Sequence, residues 1–333
     1  MKCINNKTPI INRICAVLFS AVVTLTLAGC GSAAYEMPYT VASEVSSYNV
    51  LSFGEDSRVE PFAADLCVIT EDVTTDSELD IEDAEAAVLF DLNNKEVIYS
   101  KNAHERLYPA SITKIMTALV ALENASLDQT LVATDSVIIT ESGAQLCGLK
   151  SGDTMTMDQA LHVLLMYSAN DAAMLIAENV GGTVDNFVEM MNEEAKRLGA
   201  TNTNFTNPHG LTEQEHYTTA YDLYLIFNEV MKYESFNEII HMSTYQTTYY
   251  DKNGNAKELS FKNTNGFING NITAPENVTV IGGKTGTTAA AGHCLILLSR
   301  DVNGSPYISV ILNSESGDGL YSDMTDLLSE INK

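Results

Sequence analysis

The spacing of apolar residues changes character along this chain, and the changes predict its elements. Ala86-Ala87-Val88-Leu89-Phe90-Asp91-Leu92 is an almost unbroken apolar run, followed by Asn93-Asn94-Lys95 and then Val97-Ile98-Tyr99. Together they predict a buried strand, a turn and the returning strand of a hairpin. After Pro109-Ala110-Ser111, the residues Ile112, Ile115, Met116, Leu119 and Leu122 recur at helical spacing. A second helical stretch runs from Met157 to Tyr167, with Thr156 and Gln159 placed as a capping box. It breaks at Ser168-Ala169-Asn170, resumes from Asp171 to Val180 and stops at Gly181-Gly182. Further helices are expected over about 184–198 and 220–232. From Tyr245 onward the period shortens: Tyr245 to Tyr250 and Glu258 to Phe261 predict a hairpin. Val278 to Ile281, Cys294 to Arg300 and Tyr307 to Leu312 predict sheet strands, with Asn303-Gly304 as a turn. A last helix is expected over about 319–332. Strands at both ends and helices between them predict an α+β fold: one antiparallel sheet joining the first and last strands, flanked by a helical subdomain.

The N-terminus carries Lys2, Lys7 and Arg13, then an uncharged apolar run from Ile14 to Ala28. At about fifteen residues it is shorter than the ~20 that span a bilayer, and its layout is that of an export signal. The run ends Leu27-Ala28-Gly29-Cys30, which resembles the bacterial lipoprotein signal. That resemblance implies cleavage before Cys30, diacylglycerol on its sulfur and an extracytoplasmic protein held on the membrane by lipid. Residues 1–29 are then a signal peptide, 30–60 an acidic Ser- and Tyr-rich tether, and 61–333 the catalytic domain.

Charge narrows the partners. The 333 residues hold 44 acidic and 18 basic side chains, a formal net charge of −26, and the leader takes three cations away with it. Nucleic acid and anionic lipid surfaces both require basic patches, so neither is an expected partner. With 45% hydrophobic and 19% charged residues the chain is able to bury a large core. Beyond the leader and Cys30, Cys67, Cys147 and Cys294 are an odd number without close spacing. They predict small buried apolar residues rather than a disulfide framework.

Three short motifs occur in order: Ser111-Ile112-Thr113-Lys114, Ser168-Ala169-Asn170 and Lys284-Thr285-Gly286. A Ser-x-x-Lys pattern is expected about once by chance in a chain this size, so context has to carry the argument. Ser111 stands where a Pro-containing segment meets a helix, and Lys114 follows three residues later on the same face. A serine hydroxyl needs a neighbouring base. A lysine serves only when neutral, which requires burial and nearby positive charge, and Lys284 is the candidate source of that charge. Ser168 and Asn170 fall at the break between helical segments, where a short loop can aim them into a cleft. Lys284-Thr285-Gly286 follows an apolar strand, whose edge can pair with an extended peptide.

Tyr108-Pro109-Ala110-Ser111-Ile112-Thr113-Lys114, Tyr167-Ser168-Ala169-Asn170-Asp171-Ala172-Ala173 and Gly283-Lys284-Thr285-Gly286-Thr287-Thr288 resemble the serine D-Ala-D-Ala carboxypeptidases, the low-molecular-mass penicillin-binding proteins. Asn207-Pro208-His209-Gly210-Leu211 and Tyr217-Thr218-Thr219-Ala220-Tyr221-Asp222 look like that family's intervening segments. The resemblance implies a β-lactamase/transpeptidase-like fold. It also implies Ser111 as nucleophile, Lys114 as its base, Ser168 relaying a proton to the leaving amine, and Asn170 holding the substrate amide. Lys284, Thr285 and Thr287, with Gly286 in the same strand, bind the terminal carboxylate. The backbone N–H groups of Ser111 and Thr287 form the oxyanion hole. The implied partners are peptidoglycan stem peptides ending in D-Ala-D-Ala, with β-lactams as covalent inhibitors, and no cofactor is needed.

Several departures accompany it. The chain ends soon after the last strands, so the β-rich second domain of many members is not expected. Tyr221 stands where the family often has Arg, and Thr287 where some members carry His. Glu213 and Glu215 lie in the interval where a class A-type β-lactamase has its deacylating glutamate, without the surrounding motif. His209 and His216 flank them, but their spacing matches no metal motif, and they read as structural loop histidines. The same motifs also suit a DD-endopeptidase, which cuts cross-links instead of trimming stems. A cell-wall-binding lipoprotein with an inactive cleft is the non-enzymatic rival.

Overall fold

The computed structural model describes residues 65–74, 79 and 81–333, all within one compact unit over 62–333. The leader, Cys30 and the tether lie outside the described residues.

Strands β1 (Ala84–Asp91) and β2 (Glu96–Lys101) form the expected N-terminal hairpin. A tight 3-10 turn, Ala110–Thr113, leads into helix α1 (Lys114–Asn124). Two three-residue strands follow, β3 (Thr130–Val132) and β4 (Thr154–Thr156). Helix α2 (Met157–His162) starts on the capping box: Thr156 Oγ1 accepts from Gln159 N–H, and the Gln159 side chain accepts from Thr156 N–H. A π-helical turn over Val163–Tyr167 extends it to the break at Ser168. Helices α3 (Asn170–Gly181), α4 (Val184–Arg197), α5 (Ala220–Val230) and α6 (Glu234–His241) complete the helical part. The hairpin β5 (Thr244–Tyr250) and β6 (Ala256–Lys262), a single helical turn at Gly266–Asn269, then β7 (Thr279–Thr288), β8 (Gly292–Arg300), β9 (Pro306–Ser314) and α7 (Gly317–Ser329) close the chain.

The main sheet has the order β2-β1-β9-β8-β7 and is antiparallel throughout, so the first and last strands of the domain do pair. Alternating side chains on its strands feed two cores. Ala86, Val88, Phe90, Ile296, Leu298, Ile308 and Val310 pack with the buried faces of α1, α3 and α5. Ala87, Leu89, Leu295, Leu297 and Ile311 pack under Leu320, Met324, Leu327 and Leu328 of α7. Both faces are thus covered, which explains why the strands read as near-continuous apolar runs.

Three sequence expectations change. The strand expected at Val278 to Ile281 is ten residues long and contains Lys284-Thr285-Gly286 instead of preceding it. Glycines and threonines hid it, because pairing with β8 rather than an apolar pattern keeps it extended. Helix α6 has no counterpart in the expected elements. Its buried Phe236, Ile239 and Ile240 span only two turns, too few to establish a period. A second, four-stranded sheet, β3-β4-β5-β6, joins the predicted hairpin to two strands too short to show alternation. Cys67 and Cys294 are buried as expected, whereas Cys147 is half-buried, and all three are free thiols.

Candidate active site

The three motifs meet in one cleft of about 480 Å³, lined by Ser111, Ser168, Asn170 and the strand Thr285 to Thr288. β7 is an edge strand of the main sheet, so its outer side is available to this cleft.

Ser111 sits inside the 3-10 turn, shortly before α1. The residue before it, Ala110, has φ +47°, a left-handed conformation that costs a non-glycine residue energy and survives only where surroundings enforce it. Those surroundings are visible. Thr113 Oγ1 donates to Ala110 O at 2.8 Å, and Gly210 (φ +86°) packs so closely over that carbonyl that a Cβ would lie 1.9 Å from it. His216, a loop residue in the sequence, supports Thr113 from behind. Its Nε2 lies 2.8 Å from Thr113 Oγ1, and its Nδ1 accepts from Thr206 N–H at 3.0 Å. That acceptor role puts the ring proton on Nε2, so the chain runs Thr206 N–H to His216 to Thr113 to Ala110 O. On the other side Gly286 admits the turn: a Cβ there would lie 3.0 Å from both Pro109 O and Ser111 N. Gly286 therefore lines the cleft and also seats the Ser111 turn on the sheet.

Lys114 is fully buried. Its Nζ lies 2.9 Å from Ser111 Oγ, 2.6 Å from Asn170 Oδ1 and 2.5 Å from His209 O. The last two are acceptors only and take N–H bonds. A neutral amine has two hydrogens and one lone pair, which leaves the lone pair for the Ser111 hydroxyl. Burial drives the Lys114 pKa well below the ordinary lysine value, the charge of Lys284 lowers it further, and Asp171 opposes both. Lys284, also buried, lies 2.9 Å from Ser168 Oγ and donates to Thr285 O at 2.7 Å. Burial pushes its pKa down to about 7.

Ser168, directly after the π-helical turn, also has a left-handed backbone (φ +67°). This single residue swings the chain from α2 into α3, so that Ser168 and Asn170 both face the cleft. Asp171 at the start of α3 fixes the opposite wall. Its buried carboxylate accepts from the N–H groups of Cys147, Gly148 and Leu149 at 3.1, 2.8 and 3.0 Å. Asn170 N–H donates to Gln145 O at 2.8 Å. The loop Gly143–Gln145 is thereby held against the cleft, a contribution no motif announces.

The remaining sequence candidates sort clearly. Thr285, Gly286 and Thr287 all line the cleft, and Thr264, which the sequence did not single out, joins them with its Oγ1 2.7 Å from Thr285 Oγ1. Glu213 accepts from the Asn207 side chain at 2.9 Å, and neither it nor Glu215 lines the cleft. The two histidines take part in local hydrogen bonds. Both His216 nitrogens are engaged, and His209 Nδ1 accepts from Leu211 N–H at 3.2 Å. Burial first, and the Lys114 charge second, depress His216 to about 4 and His209 to about 3. Tyr221 donates its hydroxyl to Cys67 O at 3.1 Å, a packing role between the domain's first segment and α5.

Comparison with known proteins agrees with this geometry. The family model described as D-alanyl-D-alanine carboxypeptidase, Peptidase S11, matches residues 72–316. D-alanyl-D-alanine carboxypeptidase DacF of Bacillus subtilis is 38% identical over 226 residues, covering 66% of this chain and 55% of the relative. A D-alanyl-D-alanine endopeptidase of Pseudomonas aeruginosa is 33% identical over 243 residues, covering 73% of this chain and 75% of the relative. The chain spans little more than half the length of several carboxypeptidase relatives it matches. The Streptomyces K15 DD-transpeptidase structure superposes with a TM-score of 0.70 at 28% identity, covering 78% of this chain and 99% of that one. The fold is thus the α+β architecture of the DD-transpeptidases and DD-carboxypeptidases, and the chain belongs to the D-alanyl-D-alanine carboxypeptidase family, peptidase family S11.

Proposed function

We propose that this chain is a serine D-alanyl-D-alanine carboxypeptidase acting on peptidoglycan stem peptides. The observation that carries this reading is the buried amine of Lys114, held 2.9 Å from Ser111 Oγ with its other bonds spent on acceptors. Ser111 Oγ attacks the carbonyl between the two D-alanines while its proton passes to Lys114. The C–N bond breaks, the leaving D-alanine amine takes a proton through Ser168, and the acyl group stays on Ser111. Water then attacks the ester, and free Ser111 is restored. Asn170 orients the substrate amide, and the edge of β7 with Thr285 and Thr287, backed by the buried Lys284, receives the terminal carboxylate. Backbone N–H groups of Ser111 and Thr287 stabilise the oxyanion, which is worth about 3–4 kcal/mol per donor in acyl-transfer enzymes. β-Lactams acylate Ser111 by the same route. No Asp or Glu is among the cleft-lining residues, which supports a peptidase over a glutamate-dependent lactamase.

The leader, the lipidated Cys30 and a 30–60 tether form the second half of the proposal, resting on the Leu27-Ala28-Gly29-Cys30 sequence. Among the described residues no helix is long and apolar enough to cross a membrane. The test is labelling by fluorescent penicillin, expected for the wild-type chain and abolished by Ser111→Ala. Mass spectrometry of muropeptides incubated with the enzyme is expected to show pentapeptide stems losing one alanine. Splitting of cross-linked dimers without that loss redirects the reading to the endopeptidase, and labelling that survives Ser111→Ala overturns the mechanism.

A further inference from the structure

The cleft's carboxylate end has a feature the motifs do not explain. Its lining residues include no Lys, Arg, Asp or Glu, and the two lysines beside it are buried with their nitrogens turned to Ser111, Asn170, His209 O, Ser168 and Thr285 O. Among the lining residues His293 alone has a side chain that is able to carry positive charge. β7 and β8 pair Thr287 directly with His293, and both face the cleft. Thr287 Oγ1 lies 3.4 Å from His293 Nδ1, whereas Nε2 has no partner among the described residues. With Nδ1 set against the Thr287 hydroxyl, Nε2 is the edge open to a ligand, and it donates a hydrogen bond there whenever it carries the ring proton. The start of α7 flanks the ring: a Cβ on Gly317 would make ordinary van der Waals contact with Cε1 and Nδ1 at 3.7 Å.

We infer that His293 is a substrate-positioning residue whose Nε2–H donates to the C-terminal carboxylate of a peptide laid along β7. It makes the site selective for acyl donors whose leaving group is anionic. The assignment rests on the acyl-transfer reading above. Thr287 then has two tasks, one on the substrate side and one in contacting the His293 ring.

The test compares two acyl-D-alanine thioesters on the full chain: a thioglycolate ester, whose leaving group carries a carboxylate, and the matching S-ethyl ester, whose leaving group does not. A hydrogen bond to a charged group is worth enough that His293→Ala raises KM for the thioglycolate ester about tenfold, with kcat nearly unchanged. Turnover of the S-ethyl ester stays at the wild-type level. His293→Leu, which fills the ring's place without a donor, gives the same split should the alanine variant fold poorly. His293→Gln, which keeps an N–H near Nε2, recovers most of the loss. Equal losses on both esters in the variants, or no change on either, overturn the assignment. A wild-type chain that turns over neither ester and takes up no penicillin overturns the acyl-transfer reading itself, and the His293 role falls with it.

Discussion

His216→Gln tests the scaffold behind Ser111 through its pH dependence. In the folded protein His216 is buried and neutral with a pKa of about 4, against about 6.5 in an unfolded chain. Above pH 6.5 both states hold the ring neutral, and the difference costs nothing. As pH falls below 6.5 the unfolded chain binds a proton that the folded protein refuses, so stability declines until the folded ring protonates near pH 4. Between pH 7.5 and pH 5 this amounts to roughly 2 kcal/mol, about 1.4 kcal/mol for each pH unit below 6.5. Glutamine retains one acceptor for Thr206 N–H and one donor for Thr113 but does not titrate. The variant therefore loses about 1 kcal/mol at pH 7.5 from imperfect hydrogen bonds and becomes the more stable protein near pH 5. His209, depressed for the same reasons, contributes to both proteins and cancels to first order. Urea unfolding followed by circular dichroism at pH 7.5, 6.5, 5.5 and 5 reads the two curves. Parallel curves, with a difference constant to within ~0.5 kcal/mol, would refute the claim that a neutral His216 braces the Ala110–Thr113 turn.

Two further perturbations address the chemistry. Lys284→Gln removes the charge that, after burial, most depresses Lys114. The Lys114 pKa then rises, and the acid limb of the penicillin acylation rate moves to higher pH, whatever the fall in maximal rate from losing the Ser168 contact. An acid limb that stays in place sinks the electrostatic link. Gly286→Ala puts a methyl 3.0 Å from Pro109 O and Ser111 N and 3.1 Å from Ala110 Cβ, forcing the nucleophile turn to shift by a few tenths of an ångström. Acylation slows by about 10- to 100-fold because reacting groups tolerate little misplacement. Thermal melting shows a drop of only a few degrees, and an unchanged acylation rate removes the seating role of Gly286.

Local pattern alone determined a good deal of this protein. Ile112 to Leu122, the Thr156–Gln159 capping box and the strand runs at Ala86 and Tyr307 are settled by neighbours three, four or two residues apart, so spacing reveals them. The pairing of the first strands with the last followed from element order, and Ser111 with Lys114 followed from one helical turn. The long-range parts left no such trace. The left-handed Ala110 and Ser168 are ordinary residues, forced into place by Gly210, Thr113 and the π-helical turn rather than by their own preference. Thr264, the Gly143–Gln145 wall and His293 reach the site from separate segments and no motif marks them, whereas Thr287 and the His209 segment were legible but their contacts with His293 and Lys114 were not. The sequence supplies a serine and a lysine one turn apart. Burial and the neighbouring Lys284, which only the packed structure creates, lower that lysine's pKa.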